Sequence, residues 1–123
     1  MEFDALSKKV IGCALEVHKK LGPGLLESAY EKCLSYELLC ANIKHNIQQE
    51  LPIQYKKVKL DCAYRIDMVV ENEIIVELKS VDKILPIHEA QLLTYMKLSG
   101  IKIGLLMNFN ACRLKDGLKR FVL

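Results

Sequence analysis

From Asp4 to Leu21 the apolar residues Leu6, Val10, Ala14, Val17 and Leu21 recur at three- and four-residue intervals, the period of one helix face. Gly22-Pro23-Gly24 stops that helix, because glycine suits a left-handed cap and proline cannot continue the hydrogen-bond ladder. A second helix is predicted from Leu25 to Ala41, with Leu26, Tyr30, Cys33, Leu34 and Leu38 as its buried stripe and Asn42 closing it. The pattern then turns extended. Ile47 to Tyr55 reads as a strand that Pro52 marks as an edge or irregular one, and Lys56-Lys57 reads as a turn. Val58 to Val70 and Ile74 to Ser80 follow as the second and third strands. Pro86 suits the first turn of a helix that reaches Leu98 and ends at Gly100. Ile101 to Phe109 is a fourth strand, and Leu118 to Leu123 a short fifth. Two helices, a three-strand meander, a helix and a strand predict an α+β (or α/β) fold with a mixed sheet. No linker, repeat or low-complexity segment divides the chain, so residues 1–123 are expected to form a single domain.

Charge interrupts this apolar framework at one place. Asp67 ends Arg65-Ile66-Asp67, and Glu77 and Lys79 stand inside Ile75-Val76-Glu77-Leu78-Lys79. Unpaired buried charge costs several kcal/mol, so charged positions in an apolar strand need a reason. Alternate residues of a strand share a face, which puts Glu77 and Lys79 together. Whether Asp67 joins them depends on the hairpin. A two-residue loop pairs Val70 with Glu73 and turns Asp67 away from Glu77. A three-residue loop, Glu71-Asn72-Glu73, pairs Val70 with Ile74 and sets Asp67 across from Glu77. In that register two hard carboxylates suit Mg²⁺ or Mn²⁺, and Lys79 can orient a water or stabilise developing charge. The bland alternative is a surface hairpin carrying a cross-strand Glu–Lys pair.

Two helices add polar groups. Glu27 and Tyr30 lie three apart on one helical face, and His88, Gln91 and Tyr95 fall on one stripe of another. Amphipathic core packing accounts for Tyr30. Gln91, set among apolar neighbours, points to a role in the site.

Bulk composition sets bounds. With 51% hydrophobic and 27% charged residues the 123-residue chain is globular, and its net charge of +3 says little about partners. The apolar share hints at a self-association surface. Cys13, Cys33, Cys40, Cys62 and Cys112 are odd in number and show no C-x-x-C spacing, which argues against a disulfide framework and against zinc. No targeting segment or long apolar run is seen, so a cytoplasmic protein with no membrane partner is expected. Lys56, Lys57 and Lys59 cluster on the first hairpin, and Arg113, Lys115, Lys119 and Arg120 near the C-terminus. Either group could contact phosphates, although solvated surface charge explains each equally simply. No aromatic stacking platform is apparent.

Asp67, Glu77-Leu78-Lys79 and Gln91-Leu92-Leu93-Thr94-Tyr95 resemble the successive motifs of the PD-(D/E)XK nuclease superfamily, in its RecB-like branch. Gly24-Leu25-Leu26-Glu27-Ser28-Ala29-Tyr30 resembles the signature of the GxxExxY protein family, a small member of that superfamily. Glu16-Val17-His18, Tyr64-Arg65-Ile66-Asp67 and Gly104 to Phe109 extend the match over nearly the whole chain. The resemblance implies a restriction-endonuclease-like core, a mixed sheet flanked by helices, and Mg²⁺-dependent phosphodiester hydrolysis. It implies Asp67, Glu77 and the Leu78 carbonyl as metal ligands, Glu27 as an additional acid, Lys79 as the catalytic lysine, and Gln91 with Tyr95 as helix-borne support. His18 is a weaker candidate. The cysteine pattern of iron–sulfur relatives is missing, so no cluster is implied, and no proline precedes Asp67. The expected partner is nucleic acid, DNA before RNA, with a homodimer or a larger repair or defence complex supplying targeting. The competing reading is a catalytically silent nucleic-acid- or protein-binding module that keeps the nuclease fold.

Overall fold

The structure, a computed structural model, describes residues 4–123 apart from the side chains of Cys62 and Ala63. Helices α1 (Ala5–Leu21) and α2 (Glu27–Cys40) precede strands β1 (His45–Tyr55), β2 (Val58–Val70) and β3 (Ile74–Lys79). Helix α3 (Pro86–Ser99), strand β4 (Ile103–Asn108), a 3₁₀ turn (Leu114–Gly117) and strand β5 (Leu118–Val122) follow. The helices and strands agree with the sequence expectation to within two residues at every boundary, and the 3₁₀ turn was not anticipated.

The five strands lie in chain order in one sheet. Only β3 and β4 are parallel, and α3 makes the crossover between them. The other neighbouring pairs are antiparallel, and β1 is the edge strand that Pro52 foretold, with a register irregularity between Pro52 and Gln54. Helices α1 and α2 cover one face through Val10, Val17, Leu34 and Leu38 against Met68, Val76 and Leu105. Helix α3 covers the other through Leu92 and Met96 against Ile66, Ile75 and Leu106. The result is the α+β, restriction-endonuclease-like arrangement of a mixed sheet between helical layers. Among the described residues no helix is long and apolar enough to cross a membrane.

Local chemistry fixes the ends. Asp4 caps α1, accepting from Ser7 N (3.0 Å) and Ser7 Oγ (2.6 Å), and its Oδ1 takes a hydrogen bond from Arg120 of β5 (2.9 Å). Against burial, which alone would raise it, the Ser7 and Arg120 hydrogen bonds hold the Asp4 carboxyl down at about 2. Asp4→Ala is expected to cost about 1–2 kcal/mol in urea unfolding, most of it from the lost cap because solvent screens the partly exposed ion pair. A depressed carboxyl stabilises the fold above its unfolded pKa of 3.8, and the contribution fades as pH falls towards about 2. Wild type and variant should therefore converge in stability at the acid end.

Two expectations are corrected. Leu26 does not belong to the buried stripe of α2: it is the residue before the first turn, in extended backbone, and is 76% exposed. The C-terminal basic cluster is partly absorbed by the fold, since Lys119 pairs with Glu89 (2.8 Å) and Arg120 with Asp4. Of the cysteines, Cys13 and Cys33 pack against the core, Cys40 and Cys112 are exposed, and the Cys62 side chain lies outside the described residues.

Candidate active site

The β2–β3 hairpin turns through Glu71-Asn72-Glu73, with Glu71 and Asn72 in left-handed backbone (φ 53° and 55°). Its register pairs Val70 with Ile74, Val69 with Ile75 and Met68 with Val76. This is the odd-loop register, and its continuation sets Asp67 opposite Glu77. There the ladder of backbone hydrogen bonds gives way to side chains. Asp67 N donates to Glu77 Oε1 (3.2 Å), and Leu78 N donates to Asp67 Oδ2 (2.9 Å). The two carboxylates fill the gap where the strands part.

At Asp67 β2 turns over. Alternation would put Ile66 and Met68 on one face, yet Ile66 packs with the α3 layer and Met68 with α1 and α2. Opposite Asp67 on β1 stands Gln48, a non-glycine residue at φ 50°. Strained backbone of this kind persists where surrounding contacts hold it. Here Gln48 Nε2 donates to Glu31 Oε1 (2.6 Å) and to Asp67 Oδ1 (3.4 Å).

From the α2 side, Glu27, Ser28, Glu31, Gln48, Asp67 and Leu78 line a cleft of about 290 Å³. The loop before α2 is held by Tyr30, whose hydroxyl donates to Gly22 O (2.6 Å) and accepts from Leu25 N (3.1 Å). Its ring stacks on Phe109 at 4.6 Å. Gly24 N donates to Asn110 Oδ1 (3.1 Å), and Ser80 Oγ to Leu25 O (2.6 Å). Gly24 and Tyr30 thus fasten the loop to the end of the sheet, and Glu27 projects at the cleft. Tyr30 is structural, as core packing suggested.

From the α3 side, Gln91 Nε2 donates to Tyr95 Oη (3.0 Å). Burial, followed by the charges of Glu77 and Asp67, raises the Tyr95 phenol, so the ring stands within the field of the acids. His88 does not join this pair. Its Nδ1 accepts from Leu85 N (3.0 Å) and caps the helix. His18 is likewise occupied, with Nε2 between the Phe109 carbonyl (3.1 Å) and the Ala111 carbonyl (2.8 Å).

Electrostatically the site is defined by Glu77. It is only 4% exposed, and burial, reinforced by the Asp67 charge, pushes its carboxyl up to about 9, an effect that Lys79 partly offsets. Glu31 is also raised, by burial first and by Asp67 and Glu27 further, against the Gln48 hydrogen bond. Among the described residues no three His, Cys, Asp or Glu side chains are drawn close enough to form a ready metal cluster. The donor set still fits a hard divalent cation. Asp67, Glu77 and the Leu78 carbonyl offer oxygen only, and Mg²⁺ keeps several waters rather than requiring a full protein cage. A cation there would also offset the burial and the Asp67 repulsion that together raise the Glu77 carboxyl.

The structure therefore brings together Asp67, Glu77, Leu78 and Lys79 on the sheet, with Glu27 from one layer and Gln91 and Tyr95 from the other. Glu31 and Gln48 were missed by sequence reasoning. Glu31 had a signal, four residues beyond Glu27 on the same helix face; Gln48 had none. Compared with known proteins, the chain matches the PD-(D/E)XK nuclease superfamily over residues 4–121. No curated protein and no solved structure matches.

Proposed function

The chain belongs to the PD-(D/E)XK nuclease superfamily, whose members generally use divalent metal ions on nucleic acid, and from this we propose that it hydrolyses phosphodiester bonds of DNA, in preference to RNA, with Mg²⁺ or Mn²⁺. The observation that carries this reading is the Asp67–Glu77 pair. A carboxylate buried beside another carboxylate is unfavourable for the ion-free fold, and such perturbed groups cluster at working sites.

Asp67 and Glu77, with the Leu78 carbonyl, would hold the ion. When bound, it supplies Lewis-acid stabilisation of phosphoryl charge and makes water a stronger acid. The chain's own groups do the rest. Lys79, half-buried and two residues beyond Glu77, offers a cation to the phosphoryl oxygens as negative charge develops, or orients the attacking water. Tyr95 and Gln91, already hydrogen-bonded to each other, offer a hydroxyl and an amide at the same opening. Gln48 fixes Asp67 Oδ1 and ties it to Glu31, so that the acid meets its ligand in one orientation. Glu27 is the additional acid of the cleft, and the segment Gly24–Tyr30 that presents it supports placement in the GxxExxY family of the RecB-like branch.

The test is cleavage of single-stranded, double-stranded and branched DNA, and of RNA, with Mg²⁺ or Mn²⁺. Asp67→Ala and Lys79→Ala should each lower turnover by about 10²–10³-fold, the usual loss on removing one group that stabilises transition-state charge. Turnover that survives both changes rejects this site.

A further inference from the structure

A second cleft, of about 270 Å³, lies between α3 and the β1–β2 hairpin. Its walls are apolar: Ile53 and Tyr64 from the β1–β2 hairpin, Ile87 and Leu98 from α3. Its polar groups include Thr94, Gln91 and Tyr95; Gln91 donates to Tyr95, whose phenol feels the charges of Glu77 and Asp67. The Tyr64 ring lies 6.3 Å from the Tyr95 ring and is tilted 50° to it, so its face is not covered by stacking. Tyr64 remains 47% exposed and Ile87 68% exposed.

The approach to this cleft is basic. Lys56, Lys57 and Lys59 are exposed around the hairpin turn, and Lys56 Nζ sits 5.4 Å from the centre of the exposed Tyr55 ring. Lys59 also lines a smaller cleft with Leu60 and Ile53, and Ile53 is shared with the larger one. The hairpin tip thus sets three lysines, with the exposed Asp61 beside them, next to the apolar walls of the cleft.

From this we infer that the protein engages single-stranded nucleic acid, one unpaired base entering the cleft against Tyr64 while the lysines of the hairpin hold the phosphate chain leading to Asp67 and Glu77. This rests on the proposed hydrolytic site and names the form of its substrate. An aromatic face beside cations is how strands without paired bases are held, because every base has a π-face and every linkage a charge. In a duplex the bases are stacked inside and present no face to Tyr64. An apolar peptide would fill the walls but leave three lysines without complement. The hydrogen-bonding edge of a base, by contrast, meets the Gln91 amide and the Tyr95 hydroxyl. Sequence reading missed the platform because Tyr64 and Tyr95 lie on different elements and only the hairpin's reach over α3 joins them.

The test is binding rather than turnover, so that it stands apart from the cleavage assay. Fluorescence anisotropy would compare a labelled single-stranded oligonucleotide, as DNA and as RNA, with its abasic counterpart of equal charge and with the duplex, all without divalent ion. The base-bearing single strand should bind about tenfold more tightly than the abasic strand, the usual worth of one stacked base. Tyr64→Ala should remove that difference, and Tyr64→Phe should keep it. Ile87→Glu, at an exposed position that the fold does not depend on, should weaken both single strands by closing the mouth with charge. Lys57→Ser with Lys59→Ser should weaken all nucleic acids alike and flatten the salt dependence. Equal affinity for base-bearing and abasic strands overturns the inference and leaves the hydrolytic reading standing, as does tighter binding of the duplex. No binding to any nucleic acid overturns both readings. A dimer in solution that Tyr64→Ala converts to monomer shows a second copy in the cleft and overturns the inference as well. Binding with no turnover leaves the inference in place and removes only the proposed chemistry.

Discussion

Glu77→Gln is expected to make the ion-free protein more stable at pH 8 while lowering cleavage by at least about a hundredfold. The two effects have one origin. In the folded chain Glu77 is held near 9, against 4.5 for a free glutamate, first by burial and then by Asp67. The folded state therefore keeps a proton that the unfolded state releases across the window between those values. Stability from this group is complete below about 4.5 and is lost as pH rises to about 9. Linkage of a single proton limits the slope to about 1.4 kcal/mol per pH unit. Glutamine is neutral throughout, and its side-chain oxygen can still accept the hydrogen bond from Asp67 N. Urea unfolding at intervals from pH 5 to pH 9 should show wild-type stability falling and the variant's nearly flat. Parallel profiles would mean that Glu77 does not carry the proton. Loss of the carboxylate also removes a cation ligand and hence turnover, the exchange of stability for function usual at active sites.

How much of this was legible in the chain depends on the kind of signal. The apolar patterns gave the helices and strands, because a helix face and a strand face leave distinct periods. The hairpin register was legible as a choice between two loop lengths. The two core layers decided it: Met68, Val70, Ile74 and Val76 share the α1–α2 face, and a one-residue slip would have paired Met68 with Ile75, which packs under α3. The turnover of β2 at Asp67 was not legible. Strict alternation assigns Ile66 and Met68 to one face, and nothing in Gln48 announces that it will take a left-handed backbone opposite them. Asp67 at that turn lines the cleft on the α2 side.

The polar helix residues divide along similar lines. Spacing placed Gln91 and Tyr95 together correctly, since they lie one helical turn apart. The same spacing included His88, which is consumed in capping because it falls at the third position of the helix. His18 and Tyr30 were recognisable only as polar groups on amphipathic helices. Their partners, the Phe109, Ala111 and Gly22 carbonyls, are main-chain atoms that carry no mark in the sequence.

The second large effect expected is stabilisation by the cation itself. An ion that binds the folded chain and not the unfolded one adds about 2.7 kcal/mol at a hundred times its dissociation constant, roughly 10 °C in the melting temperature of a domain this size. Mn²⁺ should produce this shift in the wild type, and Asp67→Asn should abolish it while leaving the fold intact, because an amide can still accept from Leu78 N. The shift should also grow with pH. Binding must displace the proton on Glu77, so affinity rises with pH, by at most about tenfold per unit, until about 9, and levels off above it. An equal shift in Asp67→Asn, or one that does not change between pH 6 and pH 9, would place the ion elsewhere. Glu27→Ala separates the two layers of the site. Glu27 is exposed and reaches Asp67 only across the open cleft, so its loss should reduce the shift without removing it. A shift that vanishes with Glu27 would instead make the α2 acid a full ligand, and would require α2 to move towards the sheet when the ion binds.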